Sequence, residues 1–342
     1  MTQRLLLGGD VNLNRPEPAS AWQHLADLLS QADVRFANLE GPLAGTSGDS
    51  QQPDILYKPG WTHSAPAMVD GLTAAGIDGV SCANNVTFPA AAMLASLAVL
   101  DQAGIGHCGA GADLASARRP LIIRRGLVSY GFLAATSIAF PYGHAAAAQS
   151  PGVVVLRAST SYTPDPRVSE VPGRPPTVVT TAVPADLAAM AGAVADLRAQ
   201  ADVVVLSCHW GIPGPRPLAY QQQIAHAAID SGADIVLGHG PHSVQAIELY
   251  RDRPVFYSLG NLVFDWTSMR GRYLDGLVVL AETGGGRVTG FTAQLVRRDQ
   301  DNNPRPACGE VAEAALDELV ATSAELGTRL RAAGPGQVSL SW

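Results

Sequence analysis

Short apolar runs alternate along the chain with longer stretches of helical period. "RLLLGGD", "VRFANLE", "IDGVSCANN", "ADVVVLSCHW", "ADIVLGHGPH" and "PVFYSLGNLVFD" have the length and composition of strands. Between them, "SAWQHLADLLSQA" places Trp22, Leu25 and Leu28-Leu29 on one helical stripe. "APAMVDGLTAAG", "PADLAAMAGAVADLRAQ" and "LAYQQQIAHAAIDSG" are helical in the same way, and "PAAAMLASLAVLDQAG" opens on Pro89, suited to a first turn. "PLIIRRGLVSYGFLAAT" and "LDGLVVLAETGGGRVTGFTAQLV" read as hairpin pairs. The tail predicts an amphipathic helix over 311–332 through Leu316, Leu319, Leu326 and Leu330.

Strands alternating with helices predict an α/β fold, a mixed sheet covered by helices on both faces. A single domain over 1–342 is expected, without internal repeats. The exception is the Pro-rich segment 145–184, whose core "STSYTPDPRVSEVPGRPPT" cannot be a regular helix. It is either a flap beside an active site or a plain surface excursion.

Ligands of open α/β sheets sit beyond the carboxyl ends of the strands. Asp10 and Asn12 follow the first strand, Asn38 and Glu40 the second, and Asn84 and Asn85 the third. His209 follows "VVVLSC", His239 and His242 follow "DIVLG", and Asn261 and Asp265 follow "PVFY". Each has a bland alternative: Asp10 as a turn residue, Glu40 as a solvated carboxylate, Asn84-Asn85 as helix caps, His209 as a core histidine. The H-x-x-H pair His239/His242 is the strongest single signal. Oxygen donors mixed with imidazole suit Mn, Fe or Zn, and two carboxylates with three histidines suffice for two divalent ions.

A net charge of -7 without a basic tract excludes an ordinary nucleic-acid binder. No apolar run is long enough for a membrane span, so no membrane partner is expected. The four cysteines show no C-x-x-C spacing, and with no export signal at the start a cytoplasmic protein with free thiols is expected.

"GGDVNL", "ANLEGPL", "SCANN", "CHWG", "YQQQIAHAAIDSGADIVLGHGPHSVQAIELY" and "PVFYSLGNLVFD" resemble the CapA family of poly-γ-glutamate capsule biosynthesis proteins, similar in fold to calcineurin-like metallophosphoesterases. The resemblance implies a four-layer α/β/β/α sandwich. It implies that Asp10 and His242 hold one metal, that Glu40 bridges, and that Asn85, His209 and His239 hold the second. Asn12 stands where the superfamily often has a histidine ligand. Val86 is the main departure, because the family pattern is Asn-Asn-His and this chain has "ANNV". Valine transfers no protons, and such help is worth about 10²–10⁴-fold. His63 and His107 are candidate replacements, with packing or surface histidines as the alternative.

The functional expectation is a dinuclear metal-dependent hydrolase with His209 in the catalytic centre, acting on an amide, γ-glutamyl, other carboxylate-derived or phosphoester bond. Tyr257, Ser258 and Asn261 are expected to line the pocket. Lys58 and Arg15 either steer a small-molecule or peptide-like anionic substrate or are solvated charges. The competing expectation is a non-catalytic, metal-retaining binding or assembly subunit.

Overall fold

The computed structural model describes residues 2–45, 55 and 58–342. Two β-sheets lie at its centre. The larger runs in the order Arg331–Gly334, Gln337–Ser341, Arg287–Arg298, Asp275–Gly284, Gln3–Asn12, Val34–Leu39, Gly79–Ser81 and Gly106–Cys108. Its Gln3 to Cys108 half is parallel and the remainder antiparallel. The smaller sheet runs Ile247–Tyr250, Arg253–Phe256, Ile235–His239, Val203–His209, Val128–Thr136 and Leu121–Arg125, parallel except at its two edges.

Period-two alternation assigns the faces of the smaller sheet. Phe132, Val203, Val205, Ile235, Leu237 and Phe256 point into the core shared with the larger sheet. Leu133, Val204, Leu206, Val236, Val255 and Tyr257 point outward, under helices Pro184–Arg198 and Ala219–Asp230. Phe36 and Phe132, one from each sheet, stack with centroids 4.3 Å apart and planes 8° apart. The result is an α/β sandwich, two mixed sheets covered by helices, the architecture the resemblance implies.

The expected tail helix is corrected. It spans Glu310–Glu325, ends ahead of Gly327 at φ 78°, and Arg331–Gly334 then pairs with Gln337–Ser341 as an edge hairpin. The leucine spacing continues past the break, but the glycine's left-handed backbone turns the chain out of the helix. The Pro-rich segment carries a two-stranded ribbon, Ala158–Thr163 with Thr177–Ala182. It is tied to helix Ala219–Asp230 by Tyr220 N–H donating to Thr180 Oγ1 and Ala182 N–H donating to Gln223 Oε1.

Candidate metal centre

The first strand changes partners midway. Gln3 to Leu7 pair with Asp275–Gly284, and Asp10 to Asn12 pair with Asn261–Phe264. Gly9 makes the crossing possible, since a Cβ there would lie 2.1 Å from Gly260 O. Asp10 N–H donates to that same carbonyl at 3.0 Å, and its carboxylate is delivered, fully buried, beyond the sheet edge. Glu40 arrives from the neighbouring strand end, its N–H bonded to Val11 O, and is also fully buried.

The second sheet supplies imidazoles. His209 and His239 stand opposite each other in parallel register, on the face of Val205 and Leu237. His242 follows a Gly-Pro turn and adopts φ 59°, a left-handed conformation that histidine tolerates better than most residues but at a cost. That backbone sets its ring over both carboxylates: Nδ1 is 3.5 Å from Asp10 Oδ2 and Nε2 is 3.6 Å from Glu40 Oε1. His239 Nδ1 lies 3.3 Å from Asp10 Oδ1, and His209 Nε2 lies 3.7 Å from Glu40 Oε2. One ligand atom each from Asp10, Glu40 and His242 fall within 4.8 Å of one another.

Burial alone would raise the Asp10 carboxyl. Hydrogen bonding and charge from His239 and His242 outweigh it and hold Asp10 well below the usual carboxylate range. Burial opposes ionisation of Glu40 too, but His242 and Lys58 prevail over it and over repulsion from Asp10, so Glu40 is also lowered. Burial disfavours charge on His242, yet Glu40 and Asp10 raise its pKa.

The donor set fits divalent metal. Glu40 Oε2, Asn85 Oδ1 and both ring nitrogens of His209 and His239 are buried without a well-directed hydrogen-bond partner. Unpaired buried polar atoms are costly, and here Glu40, His209 and His239 stand with Asp10 and His242 at one locus of oxygen and imidazole donors, the chemistry of Mn, Fe or Zn coordination. Supporting groups surround them. Asn38 Nδ2 donates to Asp10 Oδ1, Asn12 Nδ2 donates to Glu40 O, and Asn84 Nδ2 donates to Leu39 O.

The remaining expected residues divide. Asn261 is fully buried: its Nδ2 donates to Tyr273 O, and its Oδ1 faces His242 Nδ1 at 2.9 Å, an arrangement that would leave His242 Nε2 for a metal. Ser258 Oγ accepts from Gly260 N–H and is fully buried in the turn. Lys58 Nζ lies 3.2 Å from Glu40 Oε1. His63 stands behind the centre, where its Nδ1 accepts from Trp61 Nε1–H and burial lowers it to about 4.

Three placements correct the expectation. Tyr257 points to the outer layer, its hydroxyl donating to Glu248, because its place in the pleat is the helix-facing one. Arg15 is bound to Asp265 through Nε and Nη2, at 2.8 and 2.6 Å, and is a structural clamp instead of a free charge. His107 pairs with Asp101 and lines a separate cavity of about 480 Å³ with Leu94, Leu97 and Arg119.

Val86 is fully buried against Ile55, Trp61, Phe264 and Met269, so the position of the absent imidazole has become apolar packing. His144 lies in the irregular stretch that follows the strand end at Thr136. It is 1% exposed, its Nδ1 accepts from Phe140 N–H, and its Nε2 is buried without a partner. A cavity of about 360 Å³ lies between Ser243, Tyr273, Asp275, Arg297 and Glu318, and none of the candidate ligands lines it. The Tyr273 ring lies 6.2 Å from that of His242.

Among the described residues, no helix is long and apolar enough to cross a membrane. The profile of the family described as "Bacterial capsule synthesis protein PGA_cap" matches residues 4–266, and the chain belongs to that family. It is 32% identical over 249 residues to a "Probable polyglutamine synthesis accessory protein" of Mycobacterium tuberculosis, covering 70% of this chain and 57% of that one. To the "Capsule biosynthesis protein CapA" of Bacillus anthracis it is 27% identical over 278 residues, covering 78% of this chain and 60% of that one. The chain thus spans about 60% of the length of such relatives. In fold it is similar to a crystal structure described as a novel phosphatase from Mycoplasma pneumoniae, with TM-score 0.53, 11% identity, and coverage of 87% of this chain and 94% of that one.

Proposed function

We propose, from family membership and the donor cluster together, that the chain is a metal-dependent hydrolase-type enzyme of poly-γ-glutamate-like polymer biosynthesis. It would act on an amide, γ-glutamyl, other carboxylate-derived or phosphoester bond of a small-molecule or peptide-like anionic substrate. The observation that carries this reading is the approach of buried oxygen and imidazole donors from separate strand ends, Asp10 and Glu40 with His209, His239 and His242, several of whose ligand atoms lack a hydrogen-bond partner.

Asp10 and His242 would hold one divalent ion, Glu40 would bridge, and Asn85, His209 and His239 would hold a second. A bound metal pair supplies a water acidified toward neutral pH and polarisation of the scissile carbonyl or phosphoryl group. The chain's own residues arrange that chemistry. Asn38 orients Asp10, and Asn261 fixes the His242 tautomer. Burial of both carboxylates excludes competing water from the ligand atoms.

Val86 supports a second reading, a metal-retaining binding subunit without turnover, because no proton-transferring side chain stands at that position. Elemental analysis of purified protein, followed by turnover of phosphoesters and γ-glutamyl amides with added Mn²⁺, separates the two. Metal with turnover, both lost in His239→Ala, supports the enzyme. Metal without turnover of any substrate supports the binder, and no uptake of Mn, Fe or Zn overturns both.

A further inference from the structure

We propose that Lys58 is an internal counter-cation of the metal centre, which a bound divalent ion displaces from Glu40 and hands over to an oxyanion of the substrate. The inference rests on the metal reading above and adds a role for a residue outside the ligand set.

Lys58 Nζ is 3.2 Å from Glu40 Oε1, with 13% of the lysine side chain exposed and none of the glutamate's. His242 Nε2 lies 3.6 Å from that same oxygen. The ammonium therefore occupies a coordination direction of a carboxylate that also faces Asp10 and His242. A divalent ion held by those three residues shares the Glu40 charge with Lys58, and two cations on one carboxylate repel. The lysine and the metal compete.

The lysine is also confined. Nζ lies 5.2 Å from the Trp61 ring centroid and 5.5 Å from that of Trp266, and the two indoles are 5.0 Å apart. Trp61 is held by its Nε1–H to His63 and by packing on Val86 and Ile55; Trp266 is held by its Nε1–H to Gly60 O. Aromatic faces stabilise a cation without neutralising it. An ammonium that loses Glu40 to a metal stays in this cage at the edge of the centre, where it can pair with a carboxylate or phosphate oxygen. A plain ion pair that only secures Glu40 would make Lys58 favourable to metal binding, the opposite sign.

The test titrates chelator-stripped protein with Mn²⁺, followed by calorimetry and by tryptophan fluorescence from the cage. Lys58→Met is expected to bind Mn²⁺ about tenfold more tightly than wild type, and Lys58→Arg to stay near wild type. Once loaded with Mn²⁺, Lys58→Met is expected to lose at least about tenfold in affinity for inorganic phosphate or for glutarate, and the anion that responds sets the chemical class. Unchanged or weaker Mn²⁺ binding by Lys58→Met, with wild-type uptake intact, overturns this proposal alone. Undiminished binding of both anions by loaded Lys58→Met does the same. Failure of wild type to take up Mn²⁺ or Zn²⁺ overturns the metal reading with it.

Discussion

Asn38 Nδ2 donates a 2.8 Å hydrogen bond to Asp10 Oδ1, and both side chains are fully buried. Asn84 Nδ2 lies 3.4 Å from Asn38 Oδ1, which fixes the Asn38 amide with its donor toward the carboxylate. Groups that orient a metal ligand typically contribute about 10–100-fold to affinity. Asn38→Asp, although it adds a carboxylate, is expected to weaken Mn²⁺ binding by that factor, because two buried like charges in contact cannot both stay ionised. Mn²⁺ titration checks it, and tighter binding by the variant would show that Asn38 is not the orienting group.

Gly41 separates Glu40 from the Trp61 cage wall. It has φ 121°, and a Cβ there would lie 2.8 Å from Trp61 Cζ2. Alanine must strain the backbone and displace the indole, at about 1–3 kcal/mol. Gly41→Ala is expected to lower the melting temperature and shift the emission of Trp61. A melt and spectrum like those of wild type would mean that the turn accommodates a side chain.

The buried histidines predict acid sensitivity. Burial lowers both His144 and His63 from 6.5 to about 4. Each stays neutral in the folded chain while the unfolded chain takes up a proton below pH 6.5. The stability they contribute is therefore complete above that pH and is lost as pH falls toward 4. His144 accounts for at most about 3 kcal/mol, and His63, partly open to solvent, for less. His144→Phe should lower the melting temperature at pH 7, where the bond to Phe140 is lost, and narrow the difference between pH 7 and pH 5. An unchanged difference would mean that His144 does not titrate as described.

Strand ends were legible in the sequence because parallel strands announce themselves as apolar runs, and the polar residues that follow them must collect at one rim. Asp10, Glu40, His209, His239 and His242 each follow or end such a run, and the fold brings their side chains within 3.3–3.7 Å of one another in pairs. The outward face of Tyr257 is not legible in the sequence, because residues one apart in a strand face opposite layers and the strand's own composition does not fix its phase. The pairing of Arg15 is invisible in the sequence because its partners, Asp265 and Asn303, are some 250 and 288 residues away. His144 carried no local signal: it lies in an irregular loop, and only the fold places it near the Asn84 to Thr87 turn.

Arg298 provides a last test, of the segment 264–273 instead of the ligands. It is 2% exposed, and Nη1 donates to Phe264 O at 2.7 Å and Asn302 Oδ1 at 2.8 Å. Its Nη2 donates to Arg272 O and Tyr273 O at 2.8 and 2.9 Å. Burial lowers its pKa to about 10, which leaves it charged at neutral pH. One guanidinium thus closes the segment from Phe264 to Tyr273, which carries Trp266 of the cage and the tyrosine beside His242. Arg298→Met frees those carbonyls inside the protein and is expected to cost about 3 kcal/mol or more. Tyr273 O retains Asn261 Nδ2 and Phe264 O retains Asn302 Nδ2, so the His242 tautomer is kept. The variant should lose amide protection across 264–273 and weaken anion binding while keeping the metal stoichiometry of wild type. Loss of metal in the same variant would show that this segment and the ligand cluster are one cooperative unit, and that Trp266 cannot be loosened without dismantling the centre.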